Sequence, residues 1–321
     1  MSNILILSAG RRVELVKLFK QTAQEMQIDA KIIAADISPL APAIYFADKF
    51  YLIPRIGEEG YISSLIDICN QESIHLIVPT IDTELSILSD KKEQMENNTS
   101  AKVLISSKEV IQICRNKKNT SQFFEEHHFG HPKEYQIDDS DLKFPLFIKP
   151  LDGSSSINTF VIHNQKEFDF FKEYVKNPII QEYVDGEEYT VDCFLDFDSH
   201  VISIVPRLRI QTRSGEVLKG KIVKDQEIIH DVKKLLDVLK PIGQITIQCK
   251  KSSRGIKFIE INPRFGGGAP MSIMAGANSC QYLYRLLQGE KLNYQENYQE
   301  GITFLRFDNS IAIDTNGNRI I

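Results

Sequence analysis

Gly255-Ile256-Lys257-Phe258-Ile259-Glu260-Ile261-Asn262-Pro263-Arg264 is the stretch on which the reading of this chain turns. Its first eight residues read as a strand, and because side chains alternate across an extended strand, Glu260, Asn262 and Arg264 project from one face. A carboxylate and an amide oxygen beside a permanent guanidinium suit magnesium and phosphate, since magnesium takes oxygen ligands and binds through one or two carboxylates plus substrate phosphates. The expectation is a nucleoside triphosphate site. Such a ligand also needs further cations, donors to its oxygens and a flat cleft for its base.

Composition narrows the setting. A chain of 321 residues with 42% hydrophobic and 25% charged residues is long enough for a sizeable core and two or three domains. Its net charge of -5 gives no overall basic field, which argues against nucleic acid as a partner because that affinity rests on neutralising phosphates. Cys69, Cys114, Cys193, Cys249 and Cys280 form no CxxC pair and leave one over, so a reducing compartment is expected rather than a disulfide framework. The apolar run 3–7 is short and its arginines follow it, so it reads as a strand and not as a signal peptide. No run reaches membrane-spanning length. A cytoplasmic protein with no nucleic-acid or membrane partner is expected.

The first hundred or so residues alternate short β-branched runs (NILILS, AKIIAAD, KFYLI, IHLIVPT, AKVLIS) with amphipathic helical ones (RVELVKLFKQTAQEM, YISSLIDICNQ). That alternation predicts an α/β, doubly wound parallel sheet covered on both faces. Its first turn, Ser8-Ala9-Gly10-Arg11-Arg12, has one glycine where a dinucleotide fingerprint has three. Asp36 is placed either to bind a ribose or to close a turn before Ser38-Pro39. Pro79-Thr80-Ile81-Asp82-Thr83-Glu84 ends a strand and opens a helix, so Asp82 and Glu84 either accept from a substrate ammonium or serve as cap and first-turn acid. His127, His128 and His131 do not share one helix face, which favours a solvated helix end over a metal site. From about Pro145 grouped strands separated by helices predict α+β structure, and Asn316-Gly317 predicts a hairpin turn.

Phe144 to Pro150 reads as an apolar strand carrying Lys149, followed at once by the loop Asp152-Gly153-Ser154-Ser155-Ser156, rich in N–H and O–H donors. Ile179 to Glu188 is a strand running into an acidic bend, an edge that can meet a flat ring. Taken in order, a helix lysine, a strand lysine before a Gly/Ser loop, an acidic hinge, and Gln248 twelve residues ahead of the Glu-Ile-Asn-Pro-Arg motif resemble the ATP-grasp superfamily. The branch it looks most like includes carbamoyl phosphate synthase large subunits and amino-acid ligases. The resemblance covers roughly residues 108–290, and the family's usual N-terminal neighbour, a pre-ATP-grasp domain, matches the βαβ region. It implies a Rossmann-like domain over 1–107, linker helices and a small lid over 108–184, and the second lobe of a two-lobed grasp domain over 185–321.

The same resemblance implies roles. Lys117, with Lys118 as its rival, and Lys149 contact ATP phosphates, and Gly153, Ser154, Ser155 and Ser156 cover them. Ser155 stands where a glycine is often found and Asn158 replaces another, which implies a stiffer or differently closing lid. Gln181, Glu182 and Val184 line the adenine, and Glu188 binds the ribose. Gln248, Glu260 and Asn262 hold two magnesium ions, with manganese as an alternative and Glu260 bridging. Gln248 in place of an acid leaves Glu260 the one anionic ligand, as in the carbamoyl phosphate synthase branch. Charge-assisted hydrogen bonds contribute about 1.5–3 kcal/mol against about 0–1 for exposed ion pairs, so three cations on a triphosphate form a substantial binding term.

The implied chemistry is attack of a small carboxylate, an amino acid by expectation, on the γ-phosphate to give an acylphosphate that an amine then captures, with release of ADP and phosphate. Arg264 is the candidate catalytic residue, stabilising the transferring phosphoryl group and the tetrahedral intermediate. Gly267 and Gly268 would let backbone N–H groups approach the substrate. Arg207 and Arg209, followed at period two by Gln211 and Arg213, form a strand face for the substrate acid or for additional phosphate oxygens, a solvated basic strand being the other reading. Two rivals remain: a carbamoyl phosphate synthase-like subunit, although one grasp set is present where the full subunit has two, and a nucleotide-binding protein without turnover, against which Lys149, Glu260, Asn262 and Arg264 speak. Partners are a carboxylate and an amine, and a homodimer is left open.

Overall fold

A computed structural model describes residues 2–151 and 157–320. The N-terminal part runs β1 (Asn3–Ile6), α1 (Val13–Glu25), β2 (Ile32–Asp36), β3 (Lys49–Leu52), α2 (Tyr61–Gln71), β4 (Ile74–Val78), α3 (Leu85–Asn98) and β5 (Lys102–Val103). Its strands form a parallel sheet in the order β3-β2-β1-β4-β5. Ile4, Ile6, Ile32, Ala34 and Val78 bury toward α1, whereas Leu5, Leu7, Ile33, Ala35 and Ile77 bury toward α2 and α3. Both faces are covered, which is why these strands read as unbroken apolar runs. The doubly wound expectation holds.

Two helices follow, α4 (Lys108–Arg115) and α5 (Lys117–Glu126), the second capped by Asn116, whose side chain accepts from the N–H groups of Lys118 and Asn119. Then come β6 (Glu134–Tyr135), β7 (Leu146–Pro150), β8 (Phe160–Ile162), α6 (Gln165–Tyr174) and β9 (Pro178–Glu182), with the strands in an antiparallel sheet ordered β6-β9-β7-β8. Phe168 of α6 packs on Leu146, Ile148 and Ile162 in a small core of its own. His127 lies 4.8 Å from the Phe123 ring, and His131 Nδ1 is 3.0 Å from the Phe129 carbonyl, so the histidines finish a helix.

The last part contains β10 (Glu187–Leu195), β11 (Val201–Arg213), β12 (Glu216–Ile222), α7 (Gln226–Leu239), β13 (Gly243–Ser252), β14 (Gly255–Asn262), α8 (Ala269–Met274), α9 (Ser279–Leu287) and β15 (Thr303–Leu305). Its strands make a six-stranded antiparallel sheet ordered β14-β13-β10-β11-β12-β15. Tyr189, Val191, Cys193, Ile245, Ile247 and Cys249 point to one face and bury against Ile228, Val232, Leu235 and Leu236 of α7. Near the C-terminus Gly317 takes φ +81° and Ile313 bridges Arg319, so the Asn316-Gly317 turn forms. No helix among the described residues is long and apolar enough to cross a membrane.

The two ends of the chain meet. Phe19 of α1 stacks edge-on against Phe265 and Tyr284 at 6.0 and 6.1 Å, and the Tyr284 hydroxyl donates to the Phe19 carbonyl at 3.2 Å. Burying an aromatic side chain of this size stabilises by roughly 1.5–3 kcal/mol, so the segment that follows β14 is fixed on the N-terminal sheet.

Two sequence expectations are corrected by packing. Glu84, a candidate for binding a substrate ammonium, is fully buried; it accepts from the Thr80 and Ile81 N–H groups at 2.7 and 3.1 Å and from the Ser8 hydroxyl at 2.7 Å. It therefore ties the β4–α3 turn to the end of β1, and the capping alternative prevails. The arginine face of β11 breaks because the register shifts on both sides of Gln211. Arg207, expected at the substrate, is buried and donates from Nε and Nη2 to Asp192 at 3.2 and 3.1 Å, and Asp192 also accepts from the Ser272 hydroxyl at 2.6 Å. Arg207 thus holds Asp192, and Asp192 joins the sheet to α8. Arg213 pairs instead with Asp308.

Burial pushes the Glu84 carboxyl up to about 7, its three donors acting in the opposite sense. The folded state then binds a proton that the unfolded chain releases near its ordinary carboxyl range, so Glu84 lowers stability as pH rises from about 4.5 to about 7. Glu84→Gln should flatten this part of the stability profile: the fall in Tm between pH 5 and pH 8 becomes smaller than in the parent chain. An unchanged difference in calorimetry would contradict the assignment.

Candidate active site

The face of the six-stranded sheet opposite α7 is polar. Across it, Glu260 of β14 pairs with Gln248 of β13, Gln248 with Thr190 of β10, and Thr190 with Arg207 of β11; the next row is Asn262, Thr246 and Asp192. Side chains of directly paired residues lie on the same side, so these groups form a continuous polar surface. The Asn262 amide donates to Glu260 at 2.6 Å. Arg209 places Nε 3.0 Å from Glu188 and donates to the Thr190 hydroxyl at 3.1 Å and the Gly215 carbonyl at 2.8 Å.

Lys149 ends β7 on the facing small sheet and is half-buried. Desolvation, and then the nearby Lys117 ammonium, lower its pKa to about 8, while Glu260 and Glu134 act to raise it. The ammonium thus stands within electrostatic reach of the Glu260 carboxylate. Lys117, rather than the exposed Lys118, turns inward and donates to the carbonyls of Pro150 and Leu151, both at 2.8 Å. Gly153, Ser154, Ser155 and Ser156 lie outside the described residues.

Where the sheets join, the Gln181 amide donates to Glu134 at 3.0 Å, and Glu134 also accepts from the Ser121 hydroxyl at 2.6 Å. Glu182 pairs with Lys257 and accepts from the Lys133 N–H at 3.0 Å. The Val184 carbonyl accepts from Lys250 at 2.9 Å. Both polar side chains of this hinge are engaged within the protein.

Gln248, Glu260 and Asn262 offer one carboxylate and two amide oxygens from neighbouring positions on adjacent strands. An all-oxygen donor set with a single anion fits magnesium that shares its coordination with phosphate. Buried polar atoms are normally paired, yet Thr246 Oγ1, Asp192 Oδ1 and Arg207 Nη1 on this face, and Asp82 Oδ1 at its edge, have no hydrogen-bond partner among the described residues. Their unpaired state accords with a surface that receives a polar ligand.

Arg264 reaches across to the N-terminal sheet. Its Nε and Nη2 donate to Asp82 Oδ2 at 3.1 and 2.6 Å, and Asp82 sits in the turn that follows β4. Two candidates read separately from the sequence, 182 positions apart, are therefore in direct contact. The glycines beside Arg264 lie close against arginine side chains. A Cβ on Gly268 would stand 2.5 Å from Arg207 Nη2, and one on Gly267 would stand 2.7 Å from Arg12 Nη1 and 2.9 Å from Glu216 Oε1. They are small so that arginines can pack on them. Thr190, Asp192, Thr246, Glu134 and Arg12 escaped the sequence reading; for the first two the alternation Glu188-Tyr189-Thr190-Val191-Asp192-Cys193 is a usable signal.

Comparison with known proteins agrees with this geometry. Residues 4–104 match the family model "PylC-like, N-terminal domain", and residues 175–309 match "ATP-grasp in the biosynthetic pathway with Ter operon". The 3-methyl-D-ornithine--L-lysine ligase of Methanosarcina acetivorans is 24% identical over 272 residues, which are 83% of this chain and 70% of that protein. Among solved structures, a biotin carboxylase from Campylobacter jejuni superposes with a TM-score of 0.73 at 17% identity, covering 94% of this chain and 74% of the other. An L-amino acid ligase from Bacillus licheniformis gives 0.67 at 16% identity, covering 90% and 74%. At such identities these two likenesses speak for the fold. The two family models and the ligase relatives support placing the chain with the ATP-grasp superfamily, in its amino-acid-ligase branch.

Proposed function

We propose that this chain binds ATP in the cleft between its two antiparallel sheets and uses it to join a small carboxylic acid, an amino acid, to an amine. A carboxylate oxygen of the acid attacks the γ-phosphorus, the bond to the bridging oxygen breaks, and ADP leaves. The amine nitrogen then attacks the acyl carbon, phosphate departs with the bonding pair, and the amine proton passes to solvent. The observation that carries this reading is the set of Gln248, Glu260 and Asn262 oxygens on one face of β13 and β14, with Lys149 near enough to Glu260 for that carboxylate to act on its pKa.

Lys149 and Lys117 hold the triphosphate, with Gly153 to Ser156 covering it. Gln181, Glu182 and Val184 line the adenine; because Glu134 and Lys257 occupy the two polar side chains, recognition there falls to main-chain atoms and Val184. Glu188, oriented by Arg209, takes the ribose hydroxyls. Two magnesium ions, replaceable by manganese, would be held by Gln248, Glu260 and Asn262, with Glu260 common to both, and would supply positive charge to the phosphate oxygens. Arg264, kept in place by Asp82 and by the packing of Phe265, stabilises the transferring phosphoryl group and the tetrahedral adduct. Domain boundaries near 107 and 184 belong to the same proposal, as does a cytoplasmic setting, which five free cysteines support.

Release of ADP in the presence of magnesium and pooled amino acids tests the reading. Amino-acid-dependent release is expected; release that depends on bicarbonate instead, or tight ATP binding with no turnover, would overturn it. Replacing Arg264 with alanine should lower turnover at least about a hundredfold, the cost of losing a transition-state donor, and near-normal turnover would remove it from catalysis. ATP binds the charged form of Lys149, so its affinity should be level below about pH 8 and weaken by up to about tenfold per pH unit above it. Lys149→Arg, which keeps its charge, should show a level profile through pH 9.5 in titration calorimetry; a parallel decline would assign the effect elsewhere.

A further inference from the structure

A cavity of about 270 Å³ opens between the first turn of the N-terminal sheet, the β11–β12 hairpin and the segment after β15; Arg11, Arg213, Glu216, Arg306, Phe307 and Asp308 are on its wall. Glu216 connects it to the site. Its carboxylate meets Arg12 at 3.4 Å and Arg306 at 3.2 Å, and it lies against Gly267, three residues beyond Arg264. Asp308 takes Arg213 in a two-bond pair at 3.0 and 2.7 Å. Counting Arg264 with Asp82, the region holds five guanidinium groups, from Arg11, Arg12, Arg213, Arg264 and Arg306, against three carboxylates.

The excess is not spread evenly. Arg11, exposed, makes no hydrogen bond or close ion pair among the described residues and meets Asp308 only at longer range, as a minor influence holding that carboxyl low; the turn that presents it is braced where the Gly10 N–H donates to Asp36 at 2.8 Å. Asp36 also accepts from the Ser38 N–H at 3.0 Å, in the turn before Ser38-Pro39 that the sequence offered for it. Arg12 is held below the ordinary guanidinium range, first by burial and then, against the pull of Glu216, by Arg264 and Arg306. Guanidinium groups crowded in a cleft gain from an anion that can take two of them at once. Phe307, 83% exposed on the rim, adds an apolar wall.

We propose that this cavity holds the outer end of the substrate activated at Arg264, and that this end carries a second anionic group, carboxylate or phosphate, gripped by Arg11 and Arg306. The substrate is then an acidic amino acid, dicarboxylic or phosphorylated, and not a neutral or basic one. This inference deepens the ligase reading and rests on it.

The test is ADP release from the full chain with amino acids supplied singly and in pairs: aspartate, glutamate and phosphoserine against alanine, serine, lysine and ornithine. Pairs with an acidic member should give a KM for that member at least about tenfold below that of its neutral counterpart, the contribution of one charge-assisted hydrogen bond. The aspartate, glutamate and phosphoserine arms separate carboxylate from phosphate. Arg11→Gln should raise the KM of the acidic member about tenfold and shrink the acidic-over-neutral preference, and Arg11→Lys should retain most of it. Release driven by neutral or basic pairs and not by acidic ones overturns the proposal and leaves the ligase reading intact. Release that no amino acid stimulates overturns both.

Discussion

Strand β10 carries Glu188, Thr190 and Asp192 on one side and Tyr189, Val191 and Cys193 on the other, and its neighbour β13 repeats the pattern in register. This alternation is the constraint on which the rest depends. The apolar side buries against α7, so the polar side turns away from that helix, and cross-strand pairing lines up Glu260, Gln248 and Thr190 on it. A slip of one residue in any strand would turn its oxygen donors into the core and its apolar residues into the cleft. Stability of the core and placement of the site are thus one requirement.

Distance from this sheet does not make the N-terminal part incidental. Phe265 packs on Phe19, and the preceding Arg264 meets Asp82 at the carboxyl end of β4, the kind of position at which doubly wound sheets present ligand-binding groups. The guanidinium is therefore aimed by a domain other than the one that supplies it. Truncating one member of such a partly buried pair would leave the other charge unmatched, which makes its geometry hard to vary. The same domain supplies Arg11 and Arg12 to the cavity next door, so both the reacting end and the far end of a substrate would be framed jointly.

Much of the fold was legible because it follows from periodicity. Continuous apolar runs between helical patterns predicted the parallel sheet, and the Glu260–Arg264 stretch identified a strand with one polar face. The strand positions of Lys149, Glu260 and Asn262 were legible from local pattern, since each is set by its own strand. Pairings between distant segments were not. Glu84 and Arg207 look alike in sequence to ligand-binding residues, and only packing shows that Ser8 with two backbone donors claims the first and Asp192 claims the second. The register shifts at Gln211 equally escape a period-two count. Arg11 and Arg12 stand in the first turn without any local sign that Glu216 and Arg306 will join them.

The central claim is that nucleotide and metal gather on the polar face of β13 and β14. Anomalous diffraction from crystals grown with manganese and a non-hydrolysable ATP analogue tests it directly. The account predicts metal within ordinary coordination distance, about 2.0–2.6 Å, of Glu260 and Asn262 oxygens, with Lys149 on the phosphates. Nucleotide lying at the Gly10 turn of the parallel sheet, or metal bound instead at the exposed cluster of Asp196, Asp198 and His200, would contradict it.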